Sequence, residues 1–401
     1  MAEVTNYIDR LVAELCPDGV EYRPLGEFLG YEQPTKYLVS SKDYDDSYPT
    51  PVLTAGKTFI LGYTNETEGI YPASEEEPVI IFDDFTTAFK WVEFPFKAKS
   101  SAMKMLTLKS GTDSLFKYVY YAMQCIVYNS SDHARQWISK YSNIEVPVPP
   151  LEIQEAIVEI LDKFTNLEAE LEAELEARTL QYEYYRDSLF EALDCPRATL
   201  GELGKFYGGL KGKTKNDFGS SGARYISYKN VYENISADFT WPDFVQVKEG
   251  ENQLSLMKGD ILLTGSSENM EESGLSSVVT KEPEEKAYLN SFSICYRLND
   301  PSILNPEFSK YLFRSRLARK QIIRTAQGVT RFNVSKKKLA NVSVPIPTLE
   351  EQQRIVDILD RFDALTTSLS EGLPAELAAR RSQYEYYRDQ LLTFPRKGEN
   401  Q

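Results

Sequence analysis

Histidine is almost missing: His133 is the only one in 401 residues. Ser-His-Asp and Cys-His catalysis, HExxH zinc sites and histidine-ligated iron would all have to pass through that side chain, which we read as structural. The four cysteines, Cys16, Cys125, Cys195 and Cys295, lie far apart with no CxxC pair. That argues against a disulfide framework or a cysteine zinc site and suits the reduced cytoplasm. No apolar run reaches the ~18 residues of a membrane span. The opening MAEVTNYIDR has no basic segment followed by an apolar one, so neither a signal peptide nor a membrane partner is expected.

Catalytic motifs are missing too. Gly208-Gly209-Leu210-Lys211-Gly212-Lys213-Thr214 resembles a phosphate-binding loop, but the residue five before Gly212 is Tyr207, so the amides would not close around a phosphate. We read this stretch as a flexible loop. The Asn/Asp-Pro-Pro-aromatic loop expected of an adenine methyltransferase has only Val148-Pro149-Pro150-Leu151 as a near match, without the polar residue or the aromatic. No nuclease carboxylate cluster followed by a strand lysine is visible. The chain offers surfaces and no complete active site.

What the sequence does contain is a duplication. Gln181-Tyr-Glu-Tyr-Tyr-Arg-Asp187 returns as Gln383-Tyr-Glu-Tyr-Tyr-Arg-Asp389. Val146-Pro-Val-Pro-Pro-Leu-Glu152 parallels Val344-Pro-Ile-Pro-Thr-Leu-Glu350, and Gln154, Ile157, Val158, Ile160, Leu161, Asp162 and Phe164 match Gln352, Ile355, Val356, Ile358, Leu359, Asp360 and Phe362. Cys16-Pro17 pairs with Cys195-Pro196, Leu25-Gly26-Glu27 with Leu200-Gly201-Glu202, and Lys117-Tyr118 with Lys310-Tyr311. Between these anchors the halves differ, so one frame holds two inserts.

The frame reads as helix. Ile157, Ile160, Phe164, Leu167 and Leu171 keep a 3-4-3-4 spacing, a coiled-coil seam that resumes at Leu175 and runs through Tyr182, Tyr185 and Leu189. Pro149 and Pro150 mark its entry. The second copy has Ile355, Ile358, Phe362, Leu365 and Leu369, then Tyr384, Tyr387 and Leu391, and Gly372 and Pro374 predict a kink or break. Each insert reads as a mixed α/β globule. Strands are expected in Glu77–Phe85, Ala223–Val231 and Ile261–Thr264, with a helix at 114–128 in one insert and 306–323 in the other.

The net charge of −15 is unevenly placed. Residues 151–193 hold 12 acidic and 3 basic residues, and 349–393 hold 9 and 5, whereas 303–343 hold 10 basic and 1 acidic. Local charge decides attraction to phosphate. Arg314, Arg316, Arg319, Lys320 and Arg324 recur on a helix as candidate phosphate contacts. Gln327, Thr330, Arg331 and Asn333 follow around Gly328 on an expected loop, with side chains suited to base edges. Arg135, Gln136 and Trp137 occupy the corresponding place in the first insert, and Lys57, Lys104, Lys229 and Asn230 complete the candidate DNA contacts.

A variable domain, a Pro-x-Pro-x-Leu-Glu-x-Gln helix and a terminal Tyr-Glu-Tyr-Tyr-Arg-Asp, all present twice, resemble the specificity subunit of a type I restriction–modification enzyme. The tetrads Leu167-Glu-Ala-Glu170, Leu171-Glu-Ala-Glu174 and Leu175-Glu-Ala-Arg178 resemble the central repeat of the type IC group. The resemblance implies an α+β fold in which two mixed α/β target recognition domains are separated by two long antiparallel coiled-coil helices in a pseudo-twofold repeat. The expected parts are an N-terminal helical piece (1–20), recognition domain 1 (21–148), a central helix (149–195), recognition domain 2 (196–346) and a C-terminal helix (347–401). It further implies a non-catalytic chain that reads a split double-stranded DNA site and docks two adenine-methylating modification subunits and the restriction motor subunits. S-adenosylmethionine, ATP and Mg belong to those partners, and this chain binds no cofactor. Two partners on one repeated frame need the same surface twice. Tyr182 and Tyr185 keep seam spacing, leaving Glu183, Tyr184 and Arg186, with Glu385, Tyr386 and Arg388, as docking candidates. The rival reading is a coiled-coil scaffold joining two protein-binding domains, which leaves the basic stretch unexplained.

Overall fold

The computed structural model describes residues 2–56, 58–128, 134–367 and 372–398. The chain forms two compact units, residues 1–170 with 377–401, and residues 171–376.

In the first unit, Val79–Asp83 lies inside a four-stranded antiparallel sheet ordered Leu29–Glu32, Met103–Leu108, Val79–Asp83, Phe89–Val92. Ile80 and Phe82 pack with Phe28, Tyr118, Tyr121 and Trp137. Val79 and Ile81 face the other way, onto Leu53, Phe96 and Met103. A strand covered on both faces needs an apolar residue at every position, so it reads as an unbroken apolar run. Helix Phe116–Gln124 covers one face with Tyr118, Val119 and Tyr121, and helix Ala2–Leu15 adds Ile8 and Leu11. The strand Glu21–Pro24 pairs antiparallel with Glu145–Val148, so the chain enters and leaves the insert at one place. Residues from the far end of the sequence complete this unit. Val20 N donates to Pro395 O and Lys397 N to Val20 O, both at 2.9 Å, and Leu391, Leu392 and Phe394 join the core.

The second unit repeats the plan. Arg197–Thr199 pairs with Ser343–Pro345, and the sheet runs Gly204–Gly208, Ser293–Leu298, Ile261–Thr264, Ser276–Val278. Two sequence expectations need correction here. The strand expected over 223–231 stops at Ile226, because Ser227 accepts from Asn230 N and caps a helix, Tyr228–Glu233. The helix expected over 306–323 is two helices, Pro306–Leu312 and Arg316–Ile323, the second capped by Ser315.

The central helix is continuous over Leu151–Glu191, 41 residues. In the first unit, Phe164 stacks on Tyr387 at 5.7 Å and Glu168 pairs with Arg381 at 2.6 Å. Rising numbers on one helix meet falling numbers on the other, so the pair is antiparallel. In the second unit, Tyr182 and Tyr185 meet Phe362 at 6.4 and 5.4 Å. Tyr182 is buried, whereas Tyr185 stays 42% exposed and only borders the seam. The expected break is present: helices Leu349–Thr366 and Gly372–Leu391 are separate. Gly372 has φ +79°, and a Cβ there would meet Ala364 O at 2.5 Å. Pro374 follows within the first turn, where no backbone donor is needed. The seam position Leu369 lies outside the described residues.

Candidate nucleic-acid interface

In the second unit, strands Ala326–Gln327 and Phe332–Val334 form a hairpin with Gln327 opposite Asn333, and Ser266–Ser267 pairs with its outer strand. Gly328 makes the turn at φ +145°, where a Cβ would sit 1.9 Å from Arg331 O. Arg324, Gln327, Thr330, Arg331 and Asn333 are all exposed on or beside this hairpin. A cavity of about 550 Å³ adjoins it, lined by Lys229, Tyr228, Ser266, Ser267, Phe292 and Arg331 among others. Arg331 makes one loose ion pair, 3.5 Å to the exposed Glu268. An exposed pair of this kind contributes little and leaves the guanidinium available.

The basic helix behaves differently from its sequence reading. Arg314 donates to the carbonyls of Ser276, Val231 and Tyr232 at 2.6–3.1 Å. Arg319 donates to those of Gly274, Glu271 and Ser273 at 2.6–2.9 Å. Burial lowers both guanidinium pKa values to about 10. These half-buried arginines tie the start and body of the helix to neighbouring loops, and three donors of each are committed to backbone carbonyls. Arg316 pairs with Glu191 at 2.8 Å, while Lys320 is exposed. Asn230 is fully buried, donating to Asp238 O at 2.6 Å and accepting from Asp238 N at 3.1 Å, so it closes a loop and does not face DNA. The Gly208–Thr214 stretch is tied down: Lys213 Nζ donates to Gln246 O at 2.6 Å and pairs with Glu251.

In the first unit, burial removes three candidates. Lys104 is 0% exposed and pairs with the equally buried Asp84 at 3.1 Å. Trp137 lies in the aromatic core against Phe82, and its backbone N donates to Asp84 Oδ1 at 2.8 Å. Gln136 is buried and accepts from Tyr128 Oη at 2.8 Å. Charge and amide content suggested contacts, but these groups build the floor under the surface. Arg135 is exposed, while Lys57 and His133 lie outside the described residues. The placement is nonetheless parallel in the two units. Gln136 N donates to Asp84 O at 2.8 Å in one, and Val334 N donates to Gly265 O at 2.9 Å in the other.

The frame repeats contact for contact. Gln154 accepts from Leu115 N at 2.9 Å and donates to Pro149 O at 2.8 Å. Gln352 accepts from Asn305 N at 2.7 Å and donates to Pro347 O at 3.0 Å. Both amides are fully buried, so the Gln of the repeated motif is a clamp between insert and helix. Asp162 takes Tyr121 Oη and Lys117; Asp360 takes Tyr311 Oη at 2.6 Å and Lys310 at 2.9 Å. Burial and the adjacent carboxylate push both tyrosine pKa values up. The sequence showed these residues as matched but carried no sign of their partners.

The heptapeptides divide the same way. Arg186 pairs with Asp187 over the Tyr182 ring, and Arg388 pairs with Asp389 over the Tyr384 ring. Both arginine side chains are over 80% covered, at 15% and 17% exposure, so they serve the frame and are withdrawn from the docking candidates. Glu183, Tyr184, Glu385 and Tyr386 do face solvent. Tyr184, 69% exposed, stands edge-on to Tyr185, as Tyr386, 58% exposed, stands edge-on to Tyr387.

Two different rims carried on one repeated helical frame define a specificity component. A family profile described as the type I restriction modification DNA specificity domain matches residues 17–177 and 197–379. The chain belongs to this type I restriction–modification specificity family, whose members recognise DNA and are not themselves catalysts. It is 44% identical, over 98% of both chains, to the type I restriction enzyme EcoR124I/EcoR124II specificity subunit of Escherichia coli. It is 28% identical, over 94% of this chain and 96% of the relative, to a putative type I restriction enzyme specificity subunit of Haemophilus influenzae. Two solved structures share the fold, each at 15% identity. One, from work on complex assembly and conformational transition of the type I R-M system, has a TM-score of 0.57 and covers 93% of this chain and 97% of that one. The other, the type I restriction-modification S subunit from M. genitalium, has a TM-score of 0.50 and covers 93% and 96%.

Proposed function

We propose that this chain reads a DNA site in two parts separated by an unspecified gap. Residues 21–148 would read one half and residues 196–346 the other, with the frame helices setting the gap. The observation that carries this reading is the contrast within the repeat. Gln154 and Gln352, and Asp162 and Asp360, keep equivalent partners, while the inserts they hold differ in sequence and in strand pattern. In the second half, Arg324, Gln327, Thr330, Arg331, Asn333 and Lys229 supply the contacts; in the first, Arg135 does, and Lys57 is retained as a candidate. Arg, Gln and Asn suit guanine and adenine edges in the major groove.

The exposed Glu183–Tyr184 and Glu385–Tyr386 surfaces each dock one modification subunit, so two are bound, and a restriction motor subunit completes the assembly. S-adenosylmethionine, ATP and Mg are bound and used by those partners, in the cytoplasm. Among the described residues no helix is long and apolar enough to cross a membrane.

The test is adenine methylation mapped across a genome, in cells with this chain plus its modification subunit and in cells lacking this chain. A two-part methylated motif appearing only with the chain is the expected result. No new methylation, with both proteins expressed and soluble, would favour a protein-binding scaffold.

A further inference from the structure

Of the twenty phenylalanines, eighteen are buried or half-buried. The two exposed ones are Phe85, 41% exposed, in the first unit, and Phe292, 70% exposed, in the second. They are not equivalent in the repeat: Phe85 follows strand Val79–Asp83, whereas Phe292 precedes strand Ser293–Leu298. Yet they stand at the same rim. Asp84 N donates to Ala102 O at 3.0 Å in the first unit, and Gly265 N donates to Phe292 O at 2.8 Å in the second, each just beyond the same pair of neighbouring strands.

Each ring is also presented by the same device. Phe85 N donates to Asp83 Oδ1 at 3.0 Å, and Phe292 N donates to Asn290 Oδ1 at 2.9 Å. An Asp or Asn two residues earlier thus fixes each turn. Asp83 Oδ1 also accepts from Thr86 N at 2.8 Å, and Thr87 next to it is the only non-glycine residue with positive φ, +60°, among the described residues. Asn290 is buried and donates to Ile226 O at 3.1 Å. Polar candidates flank both rings. The carbonyl of Asp84 holds the chain beside Arg135, and that of Gly265 holds the hairpin that carries Arg331.

An apolar ring fixed among donors and acceptors on a DNA-reading rim has one matching group in the major groove, the C5-methyl of thymine. Building on the reading of these rims as DNA-recognition surfaces, we infer that Phe85 and Phe292 each contact a thymine methyl, one in each half of the site. Uracil differs from thymine by that methyl alone and leaves base pairing intact. The experiment uses the complex of this chain with its modification subunits and a duplex bearing the methylated motif, with each thymine replaced in turn by uracil. The expected result is one position per half at which binding weakens about fourfold, the transfer free energy of one methyl group. Phe85→Ala should abolish that sensitivity in one half only, and Phe292→Ala in the other, while Phe→Leu at either site retains it. If the complex prefers its motif over a scrambled duplex but uracil has no effect, or the alanine variants keep the uracil effect, the inference fails alone. If the complex shows no preference for its motif, the underlying reading of the rims fails with it.

Discussion

Two arginines of one basic stretch, seventeen positions apart, have opposite roles, and only their surroundings tell them apart. Arg331 stands in water on the hairpin, while Arg314 spends its donors on three carbonyls. Arg331→Ala should therefore relax one position in one half of the recognised site and leave the urea midpoint unchanged, as methylation mapping and denaturation would show. Arg314→Ala should cost about 2–4 kcal/mol of stability, because buried carbonyls lose their partners, without changing the motif. A uniform loss of affinity at both halves in the first variant would make Arg331 a phosphate contact instead. Charge counting in the sequence found the region but not this division. Lys104, Gln136, Trp137 and Asn230 were misread for the same reason: a polar or basic side chain gives no sign of burial until its partner is known.

Elements were easier to read than residues. The apolar seams and the duplicated heptapeptide showed the frame, since its pattern repeats every turn and its partners are themselves repeated. The Gly372–Pro374 break was legible for the same kind of reason, as glycine and proline act through the backbone. The rims were not legible, because the two rings stand at non-equivalent positions of the repeat, one after a strand and the other before one. Two predictions belong at this scale. Deleting the tetrad Leu171–Glu174 removes ~6 Å of helix against ~3.4 Å per base pair of DNA. The gap in the methylated motif should shrink by about one or two base pairs while both half-sites keep their letters; changed letters with an unchanged gap would refute it. The second concerns the 208–214 loop. Hydrogen bonding to Lys213 holds the Glu251 carboxyl down to about 2 from 4.5. A depressed carboxyl stabilises the fold above its unfolded value and loses that contribution as pH falls toward the folded one. Lys213→Met should lower the urea midpoint at pH 7, and its difference from the parent should narrow as pH drops from 4.5 toward 2.

For the whole molecule, duplication of the docking surface makes stoichiometry a readable quantity. Tyr386→Ala should yield complexes carrying one modification subunit, and Tyr184→Ala with Tyr386→Ala should yield none, as native mass spectrometry would count. Full occupancy in the double variant would move docking elsewhere on the frame.

The bonds between Val20 and residues 395–397 have a consequence for synthesis. The second unit is continuous in sequence and has everything it needs once residue 376 has emerged. The first is begun earliest but lacks Leu391, Leu392 and Phe394 until the end. At 5–20 residues per second, the ribosome makes the opening segment wait about 10–40 s for those side chains. The half made first is thus the half finished last, and a chaperone that shields nascent chains has the most to do at the N-terminal side.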